Sequence, residues 1–415
     1  MTEFVKPLRL RLITLFYRSF FHLLLMFASS AQWGCAAWIL YVAEGIALPF
    51  WVHGLGAAGW YAFNCGVVKR RGGPMRAVPS TALRVYTGTA FVAMFCFAFL
   101  LASGAVWVGA RGVLGAFAVQ ASATMGRAAV GHGLDGVFEW FVSLGMTGIG
   151  LTMLYGYVVG QRELRVRVVP LPLRGLTGSA GRLRIAQISD LHVGQNLTLP
   201  QLRDFVTQVN VLEPDLICVT GDIVDSPLAD FATFFPVLGE LAARYGVYAI
   251  LGNHDHYAGA DHVVAELRRW TNFHVLRDDA VTLDLDGGRL HVIGLDDRGR
   301  DWARGVLSDA RLAELVAKAP AGAPILLLSH RPDLFKQAAA AGVALTLSGH
   351  THGGQIALPW FGGRRRNLAE FITPFDRGLY RRDASYLYVN CGLGVTGQRI
   401  RLFTPREISV IELSG

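Results

Sequence analysis

Several things are scarce in this sequence, and each scarcity excludes something. Acidic residues are nearly missing from residues 8–160, where only Glu44, Asp135 and Glu139 occur. So long an apolar stretch with so few acids is not the surface of a soluble domain. Cysteine is sparse. Cys35, Cys65 and Cys96 lie in that stretch, and Cys218 and Cys391 stand far apart beyond it. No CxxC pair exists, which excludes a zinc ribbon and a thioredoxin-like centre and leaves buried reduced thiols. A cleavable signal is also missing, because the first apolar run is too long and ends in no small-residue cleavage site. The net charge of +8 comes with no RNA- or DNA-binding motif, so nucleic acid is not an expected partner.

What is present divides the 415 residues in two. The hydrophobic fraction is 52% and the mean hydropathy +0.36, and the surplus is concentrated before residue 160. A spanning helix needs about 20 mostly apolar residues. Four windows qualify, at 12–31, 34–55, 84–108 and 137–160. Arg18 and His22 interrupt the first, and Glu44 and Pro49 the second, so a single broken helix or a re-entrant segment is the alternative there. Cations flank these runs: Lys6, Arg9 and Arg11; Lys69, Arg70, Arg71 and Arg76; Arg162, Arg165 and Arg167. Their placement fits anionic headgroups and the positive-inside rule. The expectation is a multi-pass anchor over 1–160 in a bacterial inner membrane, with the N-terminus and the C-terminal domain both cytoplasmic. Glu44, His53, His132 and Asp135 are the ionisable groups a transport path would use, but polar groups held by partners are the plainer reading. Residues 161–182, basic and carrying Pro170 and Pro172, read as a linker.

From Leu183 onward strands and helices alternate. Leu183–Ser189, Asp215–Thr220, Gly246–Leu251, Ile325–Ser329, Val343–Leu347, Tyr386–Asn390 and Glu407–Leu413 read as strands. Leu199–Val211 and Phe231–Ala243 read as helices, and Asp286-Gly287-Gly288 turns a hairpin. The class is an α/β sandwich over 183–415. Polar clusters follow five of the strands: Ser189-Asp190-Leu191-His192, Gly221-Asp222-Ile223-Val224-Asp225, Gly252-Asn253-His254-Asp255, Ser329-His330-Arg331-Pro332 and Ser348-Gly349-His350-Thr351-His352. Ligand sites in α/β sheets form beyond the carboxyl ends of strands. Asp190 and His192, spaced two apart, can face one cation from an extended segment, and His350 and His352 repeat the device. Asp222 offers a carboxylate able to bridge two ions, and Asn253 a neutral carbonyl oxygen. Imidazole, carboxylate and amide donors together suit Mn, Fe or Zn, with Mn preferred, over Ca or Mg.

These residues resemble the calcineurin-like metallophosphoesterase superfamily, whose order DxH, GDxxD, GNHD, single His, GHxH is intact here. The resemblance implies a four-layer αββα sandwich with two divalent ions. Asp190, His192, Asp222 and His352 would hold one ion, and Asp222, Asn253, His330 and His350 the other. It also makes His254 a proton donor to the leaving oxygen, with Asp225 orienting it. The string Ser348–Gln355, with Asn390–Gly394 and Arg401–Phe403, is similar to the membrane-anchored YkuE/YaeI-type branch, which includes UDP-2,3-diacylglucosamine diphosphatases. The sequence departs from that branch at Pro405-Arg406-Glu407 and at the extra His256, which reads as outside the ligand set.

The expected function is therefore a membrane-anchored phosphoesterase cleaving a phosphodiester or diphosphate, with a lipid-linked substrate such as UDP-2,3-diacylglucosamine. A phosphodiesterase or phosphatase of a soluble cytoplasmic substrate is the alternative, and a non-catalytic scaffold on the same fold a third. Arg298, Arg300 and Arg304 near Trp302, and Arg364–Arg366 near Trp360 and Phe361, could meet phosphate and acyl chains or be solvated loops.

Overall fold

A computed structural model describes residues 2–70, 80–121, 127–173, 175, 182–194, 196–227, 229–286, 288–297, 309–360 and 365–415. They fall into two units, Met1–Leu154 and Tyr155–Gly415.

Four helices make the first unit: α1 (Thr2–Glu44), α2 (Phe50–Arg70), α3 (Thr81–Ala121) and α4 (Arg127–Val158), the last running on into the second unit. Among the described residues three stretches are long and apolar enough to cross a membrane, Ser19–Glu44, Thr81–Val113 and Asp135–Arg162. The windows at 12–31 and 34–55 are thus not two separate spans. A single helix runs through the first and into the second, then stops at Glu44, where Gly45 adopts φ 68° and Pro49 precedes α2. A left-handed glycine ends a helix and proline opens the next one. Helix α2 is less apolar because it carries His53, Trp60, Tyr61 and Asn64. Asn64 is buried and fully engaged. Its amide donates to Ser29 Oγ at 2.8 Å and Gln32 Oε1 at 2.9 Å, and the Tyr86 hydroxyl donates to its Oδ1 at 2.5 Å. This network joins α1, α2 and α3 as interhelical hydrogen bonds do in bilayers. Asp135 pairs with Arg111 at 3.2 Å, so this candidate transport residue has a partner. Arg71 and Arg76 lie outside the described residues.

The second unit contains fourteen strands and six helices among the described residues. The strands are β1 (Leu164–Pro172), β2 (Arg182–Ile188), β3 (Leu216–Thr220), β4 (Val247–Ile250), β5 (His274–Val275), β6 (Asp279–Leu285), β7 (Gly288–Leu295), β8 (Ile325–Ser329), β9 (Leu345–Ser348), β10 (Ala357–Pro359), β11 (Arg365–Asn367), β12 (Gly378–Arg382), β13 (Ser385–Val389) and β14 (Arg406–Ser414). The helices are α5 (Leu199–Val211), α6 (Phe231–Leu238), α7 (Asn253–Ala258), α8 (Ala260–Trp270), α9 (Asp309–Ala317) and α10 (Phe335–Ala340). One six-stranded sheet has the order β1-β14-β2-β3-β4-β5 and the other β12-β13-β9-β8-β7-β6.

Side-chain alternation turns these sheets into layers. Along β3, Leu216 and Cys218 face the second sheet, while Ile217 and Val219 pack under α5, α6 and α8. Along β8, Leu326 and Leu328 enter the inter-sheet core, while Ile325 and Leu327 meet α9 and α10. A strand buried on both faces must be apolar throughout, which is why these runs show no polar alternation. The result is the expected αββα sandwich.

Two readings are corrected. Residues 161–182 are not simply a linker, because Leu164–Pro172 forms β1, parallel to β14. Prolines are tolerated there because the strand lies at the sheet edge. Helix α6 ends at Leu238 rather than continuing to Ala243. Gly287 of the hairpin and residues 176–181 lie outside the described residues.

Candidate metal centre

Strands β2, β3, β4, β8 and β9 all finish at one edge of the sandwich, and the five polar clusters follow them directly. Backbone bonds stitch their loops together. Asp190 N donates to Gly221 O and His192 N to Asp222 O, each at 3.0 Å, and Gly349 N donates to His330 O at 3.0 Å. The side chains converge in three groups: Asp190, His192 and His352; Asp222, His330 and His350; His192, Asp225 and His254. Within each group the ligand atoms lie within 4.8 Å of one another. Asn253 opens α7, and the next residue's N–H donates to Asp222 Oδ1 at 2.8 Å. All nine residues singled out in the sequence therefore stand at one place.

The backbone does not reach this arrangement as expected. Asp190 (φ 52°), His192 (φ 48°), Asp222 (φ 52°), His350 (φ 70°) and His352 (φ 51°) are all left-handed, not extended. Such conformations are strained for non-glycine residues and gather at functional sites. Close approach also needs glycine. A Cβ on Gly252 would lie 2.2 Å from Asp222 Oδ1, and one on Gly349 would lie 1.9 Å from Ser189 Oγ and 2.3 Å from Asp190 Oδ2.

The donors are arranged for cations. His330 Nδ1 lies 2.7 Å from the Thr220 carbonyl, which can only accept, so Nδ1 carries the hydrogen. Its Nε2 then faces Asp222 Oδ2 (3.2 Å) and His350 Nδ1 (3.2 Å). His192 Nε2 and His352 Nε2 meet at 3.0 Å, and Asn253 Oδ1 is buried with no hydrogen-bond partner. Lone pairs crowded together in a buried space repel unless a proton or a metal ion sits between them. The ionisation follows. Burial alone would lower the His330 imidazole, yet the Asp222 carboxylate pushes it up to about 10. Burial would raise Asp222, but the charge of His330 and its hydrogen bond hold that carboxyl well below the usual range. His350 is kept well below the ordinary histidine value by burial, then by His330 and Arg331. His352 is kept low by burial, then by His192 and Arg401. Two neutral imidazoles and an ionised carboxylate are what a divalent ion needs.

Three supporting residues had no role in the sequence reading. Asp255 accepts from the N–H groups of Gly252 (2.8 Å), Ile223 (3.2 Å) and Val224 (2.9 Å), locking two of the loops together. Burial and the Asp222 charge push its carboxyl up to about 7. Arg331 is buried and its Nε donates to Asp297 Oδ2 at 2.6 Å. Arg401, also buried, donates to the carbonyls of Cys391 (2.8 Å), Gly392 (2.9 Å) and Gly394 (2.6 Å) behind His352. The GNHD and SHRP strings contained two of these, but only burial shows that they matter. His256 is outside the ligand groups and pairs with Asp296 at 2.9 Å.

Comparison with known proteins agrees with the geometry. The model of the calcineurin-like phosphoesterase family matches residues 183–354. Metallophosphoesterase YkuE of Bacillus subtilis is 36% identical over 242 residues, which cover 56% of this chain and 79% of that protein. The chain belongs to the calcineurin-like phosphoesterase family. A metallophosphoesterase of Campylobacter jejuni is 34% identical, covering 56% of this chain and 59% of its own length. A transmembrane protein with a metallophosphoesterase domain from Danio rerio is 29% identical, covering 63% and 60%. The chain thus spans about three fifths of these last two relatives. As a calcineurin-like phosphoesterase it is a metal-dependent hydrolase of phosphoric esters.

Gly349→Ala should displace Asp190 and lower metal affinity by about ten-fold or more. Metal content after dialysis, read by mass spectrometry, checks this; parent-level content would show that Asp190 can move aside freely.

Proposed function

We propose that this phosphoesterase is a membrane-anchored enzyme of the bacterial inner membrane that hydrolyses a phosphodiester or diphosphate bond of a lipid-linked substrate, using two metal ions. The observation that carries the reading is the sharing of one buried carboxylate. Asp222 stands 3.2 Å from His330 on one side and 3.7 Å from His192 on the other. We assign one ion to Asp190, His192, Asp222 and His352, and the other to Asp222, Asn253, His330 and His350. The mixed donors suit Mn, Fe or Zn. Bound there, the ions would neutralise phosphoryl oxygens and lower the pKa of the attacking water.

The chain's own part is orientation and proton delivery. His254 Nδ1 lies 3.1 Å from the Asp225 carbonyl, so Nδ1–H donates there and Nε2 is the atom left to serve the leaving oxygen. The Asp225 carboxylate lies 3.3 Å from His192 Nδ1 and 3.5 Å from His254 Nδ1, so it orients both rings. Asp225 and His254 therefore form a proton-donating pair beside the first ion and are not part of a third ion site, His192 remaining a ligand of that first ion. As the ester bond breaks, water supplies the oxygen added to phosphorus and gives up its proton to solvent, and the leaving oxygen takes a proton carried on His254 Nε2.

Orientation in the membrane follows from counting α2 as a fourth crossing. The Asn64 network meets its most polar side chain, so the lower hydropathy is no bar. Four crossings place the basic flanks at 1–11, 69–76 and 162–167 on the same side, with the phosphoesterase unit cytoplasmic.

Asn253→Ala should lose bound metal, whereas His254→Ala should keep it and lose about 10²–10⁴-fold in turnover; full activity in either variant would refute the assignments. A C-terminal reporter that is active only outside the cytoplasm should stay silent, and a bright signal would reverse the topology. The detergent-purified chain with Mn²⁺ should release UMP from UDP-2,3-diacylglucosamine, with Asp222→Ala as the blank. Cleavage of generic aryl phosphodiesters without UMP release would rule out that substrate and keep the metal chemistry.

A further inference from the structure

Immediately after the His350–His352 loop the chain makes a small hairpin, β10 with β11, followed by the helical turn Leu368–Phe371. Register sorts its side chains. Ala357 pairs with Asn367, and both are buried against the body of the unit. Leu358 pairs with Arg366, so both turn to the opposite, outer face. Leu358 is exposed, as are Trp360 and Leu368 just beyond the strand ends and Phe371 and Ile372 after them, Phe371 being 88% exposed. Large apolar side chains gathered on one face mark an interaction site, whereas singly scattered ones are ordinary.

The surroundings decide what kind of partner fits. Residues 357–383 carry Arg364, Arg365, Arg366, Arg377, Arg381 and Arg382 against Glu370, Asp376 and Asp383, so the segment is net basic. Arg364 lies outside the described residues. Arg366 is held by Glu370 on the same turn, and Arg365 turns back to donate to Phe403 O at 2.7 Å, which stiffens the hairpin from beneath. Tryptophan and phenylalanine among arginines have the composition of a surface that sits in the headgroup region of an anionic bilayer. Among the described residues three helices are long and apolar enough to cross a membrane, which keeps a bilayer at hand.

We propose that the outer face of the β10–β11 hairpin and the Leu368–Phe371 turn docks on the anionic bilayer surface. The surface is coupled to the metal centre through short contacts. Asn367 packs against Gly354, where a Cβ would lie 2.6 Å from Asn367 Cβ, and Thr351 Oγ1 donates to Asp376 O at 2.6 Å. Docking therefore steadies the loop that carries His350 and His352 while the headgroups lie close to it. This role is independent of which phosphate ester is cleaved.

The test places p-benzoylphenylalanine at Phe371 of the full chain, reconstituted in nanodiscs of phosphatidylglycerol and phosphatidylcholine. The same label at Val211, an exposed apolar residue at the end of α5, is the control. Hydrolysis of an aryl phosphodiester verifies that each labelled protein is folded. On illumination, lipid adducts at position 371 should exceed those at 211 several-fold, and should fall several-fold in phosphatidylcholine alone. Equal yields at the two positions, or an undiminished yield without the anionic lipid, would overturn the proposal. Because adducts are counted and not turnover, a failure of the substrate assignment would leave this readout untouched.

Discussion

A carboxylate with essentially no access to water, Asp222, sets the terms for the catalytic edge of the sandwich. An ionised group taken out of water costs several kcal/mol unless charge and hydrogen bonds replace the lost hydration. At Asp222 the replacement comes from His330 and His192 on either side and from the His254 N–H in front. Each compensating group belongs to a different strand end, so the charge cannot be accommodated until β2, β3, β4 and β8 are all in register. The metal centre is in this sense a folding constraint as well as a catalytic device. Even so, the protein ligands alone leave Asn253 Oδ1 without a partner and two imidazole pairs facing each other nitrogen to nitrogen.

The strained backbone has the same origin. Five donors converging from a flat sheet edge must turn back towards a common point within one or two residues. A left-handed residue makes that turn, at a cost of order 1–3 kcal/mol each. Hydrogen bonds hold the turns in place: the His350 N–H donates to the Asp190 carboxylate, and Asp255 gathers three N–H groups from the two neighbouring loops. Asp255 bears no resemblance to a ligand in its role. It is the clamp that holds Asp222 and Asn253 in place.

The strand ends were legible because each is a buried apolar run halted by Asp, His or Asn, a contrast that needs no tertiary knowledge. Metal-binding residue types in that order made the site readable as well. What escaped depended on neighbours. Residues 164–172 read as linker on Pro170, Pro172 and their arginines, although Leu164-Arg165-Val166-Arg167-Val168 alternates as a strand does, and pairing with β14 makes them one. The first two apolar windows are divided in the middle of α1, and the second crosses the helix end at Glu44, because hydropathy alone does not place a helix end made by Gly45 and Pro49. Left-handed φ angles at Asp190 and His192 left no trace in the DxH spacing. Arg401 and Arg406 would be expected at the surface from their charge, yet both are buried.

Those two arginines show how the support of the site extends beyond the ligands. Burying a guanidinium is tolerable where carbonyls surround its fork of donors, and Arg401 has the carbonyls of Cys391, Gly392 and Gly394. The Gly392 peptide turns its carbonyl towards Arg401 and its N–H the other way, so Leu393 N donates to Ser189 O, while Gly394 N, whose peptide carries the Leu393 carbonyl, donates to Asp190 O. Arg406 joins the same loop from its other side, donating to Leu393 O and, at 2.6 Å, to Gln161 O just before β1. A continuous chain of hydrogen bonds thus runs from Gln161 through Arg406 and Leu393 to the Ser189–Asp190 segment. Neither arginine can be replaced by an apolar residue of similar size without leaving several buried carbonyls unpaired, each worth about 1–3 kcal/mol. The entry of the chain into its first strand and the position of Asp190, the first ligand proposed for the metal, are therefore fixed by the same bonds.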